Sequence, residues 1–359
     1  MRQRVRGRYA ALLGVISAIV MLVAGWEGSA QEARFDGLAL RVATWGGPWR
    51  DALHELIGGE LEKRGGKVED VLGGPRDNLA RLIAARGRDV PFDLIEQLVD
   101  DVRLQLLEGQ FLEELNFANL PNARDLDPNQ RDRYTVATSV SQHGIVYNVK
   151  KFEELGIPRP ERLKDLFHPK LAGRVSFPDI NVGPAINGIV GFAIEAGGDE
   201  SNIDPGLELI KQLKVASFWK SAVELTTRFK TGDVWAAWWH AGQALRLRKA
   251  GVPAGVSFPK VRDKQGMLAI TWVGIPKGNK ARRAAEFYIN RYLDPEVQVA
   301  FSQRMGVVPV NKAALSRLAA DPELKDLMIL DPAQIRNMYY VPKANITEIV
   351  NKWNRVMAR

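Results

Sequence analysis

Between residues 38 and 95 short apolar runs alternate with amphipathic stretches, and this alternation constrains the chain most. Leu38-Ala39-Leu40-Arg41-Val42-Ala43-Thr44 reads as a buried strand. The turn Trp45-Gly46-Gly47-Pro48-Trp49 then leads into a helix from Arg50 to Arg64, with Leu53, Leu56, Ile57 and Leu61 at helical spacing before Gly65-Gly66 stops it. Lys67 to Leu72 is a second strand, Asn78 to Ala85 a helix, and Phe92 to Ile95 a third strand. Strands that alternate with helices in this way form a mostly parallel sheet covered by helices, so the first segment is an α/β lobe.

A second α/β series follows. Asp101 to Glu108 is a helix, 115–133 is polar, and two β-rich pieces between Tyr134 and Val149 flank Ser141-Gln142-His143-Gly144 and carry the chain out of the first lobe. Arg174 to Phe177, Asp233 to Trp239, Gly255 to Phe258 and Met267 to Ile275 read as strands. Pro184 to Ala196, Leu207 to Leu213, Leu245 to Ala250 and Lys280 to Leu293 read as helices. No repeat or low-complexity linker separates the series, which points to strand-like hinges rather than a tether.

The 359 residues suffice for about two domains or lobes. The absence of cysteine excludes disulfides, cysteine zinc sites and a thiol nucleophile, and the four histidines have no metal-motif spacing, so no cofactor or resident metal is expected. A Gly-x-Ser-x-Gly elbow and a His-Glu-x-x-His site are both missing, which argues against an exported hydrolase. Lys and Arg are scattered among acids, so nucleic acid is not an expected partner. At the N-terminus Arg2, Arg4, Arg6 and Arg8 precede an apolar run from Tyr9 to Ala24 and then Gly28-Ser29-Ala30. This is the layout of a signal peptide, residues 1–30, cleaved after Ala30. Loss of those four arginines and Glu27 lowers the formal charge from +8 to +5. The mature protein is expected in the periplasm.

Several segments in order carry a family resemblance: Leu40 to Trp45, Phe92 to Ile95, Gly144-Ile145-Val146-Tyr147-Asn148, and Asp165 to Val175. Gly251-Val252-Pro253 with Phe258-Pro259-Lys260, Trp272 to Lys277, Ala284 to Pro295 and Gly306 to Asn311 continue the series. Together they resemble the extracellular solute-binding proteins of bacterial ABC importers, of the spermidine/putrescine-binding branch, and cover nearly the whole mature chain. The resemblance implies the type 2 periplasmic binding protein fold, two α/β lobes joined by strand hinges around an interlobe cleft. Residues 38–140 with 276–359 would form the first lobe and 141–275 the second. It also implies a monomer that captures a small organic solute, closes on it, and delivers it unchanged to the permease subunits of the inner membrane.

The solute is expected to be polyamine-like or otherwise amine-bearing. A carboxylate-bearing or aromatic solute is the alternative, and a metal ion a lesser one. Trp45 matches the stacking aromatic that relatives carry after the first strand, and Gly46 beside it exposes backbone; an indole face attracts an organic cation. Asp100 and Asp101 follow the third strand, one as helix N-cap and the other toward the cleft. Asp179 stands in the short counterpart of the relatives' acidic stretch. Trp239 and His240 both align with a stacking Trp. Polyamine binders place a Trp and an Asp in the returning strand where this chain has Ala269 and Thr271, so one carboxylate is lost there. Thr271, the adjacent Trp272 and Tyr339 complete the expected set.

Overall fold

The computed structural model describes residues 34–85, 88–341 and 345–357, and the expected signal peptide lies outside them. The strands are β1 (Ala39–Thr44), β2 (Lys67–Leu72), β3 (Leu94–Leu98), β4 (Thr135–Asn148), β5 (Val175–Pro178), β6 (Val215–Trp219), β7 (Ala236–His240), β8 (Ala254–Ser257), β9 (Lys260–Val261), β10 (Lys264–Gln265), β11 (Met267–Gly274), β12 (Val308–Pro309) and β13 (Tyr339–Tyr340). Among the described residues eleven of them form one sheet with the central order β2-β1-β3-β11-β4-β7-β5-β6. At one end β1 pairs in parallel with β2 and β3, and at the other β5 pairs in parallel with β6 and β7. Helices cover these parallel strands, and all five residues of β3 are buried.

The two ends are joined through β4 and β11, which are antiparallel to each other. The first half of β4 pairs with β11 and β12, and its second half with β7 and β8. The two β-rich pieces expected around Ser141–Gly144 are thus one strand of 14 residues. It stays continuous because its central polar side chains are satisfied in place. Gln142 accepts from the Ile329 amide at 2.9 Å and donates to the Ile329 carbonyl at 2.6 Å, and His143 Nδ1 lies 3.0 Å from Asn187 Nδ2.

Buried side chains collect in two clusters. One is built around Leu40, Leu94, Tyr292 and Phe301 and extends to Trp239. The other is built around Ile145, Phe177, Phe192 and Trp238. The last helix, Ile346–Met357, buries Ile349 and Trp353 in the second cluster, with Trp353 stacked on Phe177 at a centroid distance of 6.1 Å. The apolar face of this helix, grouped with the first lobe as part of 276–359, thus finds its partners in the second cluster. The strand β6 and the helix Ala222–Thr231 had no counterpart in the sequence reading. No helix among the described residues is long and apolar enough to cross a membrane.

Candidate functional site

Where β4 and β11 cross between the two halves they form the floor of a cavity of about 360 Å³, within the usual range for small-molecule sites. Ser141 and His143 reach it from β4, and Ala269, Ile270 and Thr271 from β11.

One wall comes from the turn after β1. Gly46 and Gly47 take positive φ values of 83° and 56°, a conformation costly for other residues, and so turn the chain from strand to helix within two positions. This brings Trp45 and Trp49 side by side on the wall, edge to face at 4.8 Å. Trp45 is 36% exposed, whereas Trp49 packs inward on Phe301. The Trp49 indole donates to the buried Glu96 at 3.2 Å, and the Tyr288 hydroxyl donates to the other carboxyl oxygen at 2.8 Å. Burial pushes the Glu96 carboxyl up to about 7, against the pull of its hydrogen-bond donors.

The opposite wall holds Trp239 and His240 at the end of β7 and Trp219 at the end of β6. Strand alternation sends Trp238 to the far side, where its indole donates to the Pro184 carbonyl at 3.0 Å. His240 nevertheless reaches the cavity together with Trp239, because the strand ends there and His240 caps the helix Ala241–Lys249. The helices Ala185–Glu195 and Ala222–Thr231 also begin at this wall, through Pro184 and Ala222.

Arg246, on the helix Ala241–Lys249, lines the cavity, and burial pushes its guanidinium down to about 10. Among the described residues no carboxylate meets it. It donates to Gln243 Oε1 at 2.9 Å and to the Met305 carbonyl at 3.0 Å, and its Nη2 lies 3.2 Å from His240 Nε2. Because arginine can only donate, Nε2 of His240 is the acceptor, which leaves the proton of the neutral ring on Nδ1. That Nδ1, like the Trp219 indole nitrogen, is buried with no partner among the described residues. Burial, then the charge of Arg246, holds His240 well below the ordinary imidazole range, and burial pushes His143 down to about 4, so both rings are neutral at pH 7. No Asp or Glu lines the cavity among the described residues.

Five of the ten expected site positions, Trp45, Gly46, Trp239, His240 and Thr271, thus line one cavity. The other five lie elsewhere. Trp272 follows Thr271 on β11, points to the opposite face, and donates to Asp100 at 2.8 Å. Tyr340 hydrogen-bonds the same carboxyl, burial raises that carboxyl, and the Arg103 guanidinium sits 4.0 Å from the Trp272 ring centre. Asp101 pairs with Arg76 at 3.0 Å, and the N-cap of that helix is Val99 rather than either aspartate. Asp179 accepts from the Asn181 amide at 3.0 Å within its own turn, three residues before the chain reaches the cavity at Val182. The Tyr339 hydroxyl bonds Glu200, and its ring lies under Arg262.

Arg246, Trp219, Trp49 and His143 were not anticipated. The signal for Arg246 is that no acid occurs between Asp233 and Asp263, so an arginine folded inward in that stretch has no local counter-charge. Trp219 was hidden with its strand. Among the described residues no three His, Asp or Glu side chains gather as a metal set.

Residues 63–327 match the model of the bacterial extracellular solute-binding protein family. No curated protein matches the chain in sequence. Solved structures share its fold. An ABC transporter protein from Rhodopseudomonas palustris CGA009 is 20% identical with a TM-score of 0.73, over 89% of this chain and 99% of its own. One assigned to spermidine/putrescine ABC transport, from Listeria monocytogenes, is 18% identical with a TM-score of 0.73 over the same shares, 89% and 99%. The periplasmic binding protein AgtB from A. tumefaciens R10, solved with agropinic acid, is 20% identical with a TM-score of 0.68, over 90% of this chain and 98% of its own. At these identities the likeness is one of fold, the two-lobed α/β architecture of periplasmic binding proteins. By its family match, the chain belongs to the bacterial extracellular solute-binding proteins.

Proposed function

We propose that this extracellular solute-binding protein is the periplasmic receptor of an ABC importer, and that it takes a small organic solute by a carboxylate in the cavity between Trp45 and Trp239. Arg246 is the observation that carries the reading. A half-buried guanidinium with no counter-ion among the described residues is a costly arrangement, and a carboxylate entering the cavity offsets the cost with a charge-assisted, bidentate pair. The starts of the helices Ala185–Glu195, Ala222–Thr231 and Ala241–Lys249 add the positive ends of their dipoles to the same wall. A polyamine, the first expectation, would bring at least two ammonium groups into a cavity bordered by one half-buried cation and no acid among the described residues. The acid of agropinic acid in AgtB accords with an anion in this fold, while the spermidine/putrescine assignment of the Listeria protein marks the other possibility.

Calorimetric titration of the purified mature protein with short organic acids, amino acids, putrescine and spermidine tests the reading. Binding heat from a carboxylate and none from the polyamines supports it. The reverse pattern restores the amine. As a receptor the protein would close on its solute by rotation at β4 and β11, then release it unaltered to the permease.

A further inference from the structure

We infer that the cleft selects a monocarboxylate whose remaining body is apolar and uncharged, and that Arg246 decides this selection. The inference rests on the receptor reading and narrows its solute. It follows from counting the charges the cavity can neutralise. Arg246 is the one Lys or Arg side chain that lines it among the described residues, no Asp or Glu does, and the imidazoles of His143 and His240 are neutral. One carboxylate therefore completes the site. A second carboxylate, or an ammonium at the far end, would be desolvated without a counter-charge, which costs about tenfold or more in affinity.

The rest of the lining suits an apolar body. Trp45 and Trp49 form one wall, Trp239 the other, and Ile270, Met305 and Val307 fill between. The polar side chains on the floor, Ser141 and Thr271, are uncharged hydroxyls that cannot neutralise a second ionic group. Amino acids and dicarboxylates of the same length should therefore bind more weakly than the simple acid.

The test is a matched series titrated by calorimetry into protein freed of bound solute by unfolding and refolding: hexanoate, phenylacetate, 6-aminohexanoate, adipate and hexylamine. Hexanoate or phenylacetate should bind at least about tenfold more tightly than 6-aminohexanoate, adipate and hexylamine. Arg246→Gln should lose at least about tenfold for the acid, and Arg246→Lys, which keeps the charge but not the fork, should fall between. Circular dichroism verifies that both variants are folded. Tighter binding of adipate, 6-aminohexanoate or hexylamine, or an unchanged affinity in Arg246→Gln, would overturn the inference. If none of the five binds, the inference fails as well. A thermal shift with a small-molecule periplasmic extract then separates the two levels, because a raised melting temperature leaves the receptor reading standing and an unmoved one removes it too.

Discussion

Gly242 and Gly306 meet backbone to backbone beside the cavity. A β-carbon on Gly242 would fall 2.1 Å from the Met305 carbonyl oxygen, and one on Gly306 would fall 2.3 Å from the Gly242 Cα. Gly242 opens the helix that carries Arg246, and Gly306, at a φ of 62°, ends the helix Pro295–Met305 that packs beside Trp49. Arg246 donates to Met305 at the same point. The arginine and this helix-to-helix contact are therefore one unit.

Gly242→Ala should force the helices Ala241–Lys249 and Pro295–Met305 apart, because the added carbon meets backbone that cannot give. Overpacking of this kind costs about 1–3 kcal/mol. The expected result is a lower urea midpoint together with weaker binding of the solute, since Arg246 donates to Met305 at the same point. An unchanged midpoint would show that the close approach is not a tight contact.

Glu96 makes stability depend on pH. Between its ordinary value of 4.5 and about 7 the folded protein keeps a proton that the unfolded chain has released. Its contribution is thus present below 4.5 and lost as pH rises through 7, a change of order 3 kcal/mol. His143 acts in the opposite sense, because its imidazole is pushed down from 6.5 to about 4, and its contribution is lost as pH falls through that window. Glu96→Gln isolates the first effect. Relative to the native chain it should gain stability steadily from pH 5 to 7 and then level off, as read from urea unfolding at each pH. A pH-independent difference would mean that Glu96 stays ionised.

Tyr340→Phe should cost about 1–3 kcal/mol in urea unfolding, because it removes one of the donors on the buried Asp100 carboxyl and leaves Trp272. Paired with Asp100→Asn in a double-mutant cycle, the loss should be less than the sum of the two single changes. Additive losses would rule out the shared hydrogen bond.

Trp353→Ala should cost about 3–5 kcal/mol by emptying a site 4% exposed against Phe177 and Phe218. A change below 1 kcal/mol would mean that the last helix contributes little to that core.

The strand-helix alternation that opens the chain was legible because period and turn chemistry agree there, and β2 spans the six residues expected, Lys67–Leu72. The cavity was legible in half. Trp45, Gly46, Trp239 and His240 sit at strand ends, where ligands of open α/β sheets gather. One position of strand phase separates Thr271, on the floor, from Trp272, behind it, and a resemblance aligned to within a residue does not resolve that difference. Arg246 was hidden because the helix was expected to begin at Leu245, four residues late, so nothing in the sequence placed its side chain beside the strand end at His240. The docking of Trp353 is set by tertiary contacts, and no local pattern encodes it.

The passage of β4 from one half to the other without a break has a consequence for folding. Neither moiety owns a complete sheet, since both pair with parts of the same 14-residue ribbon. Severing the chain near Ser141 would bare unsatisfied amides on both fragments, and heating the intact molecule should melt it in a single calorimetric peak rather than two.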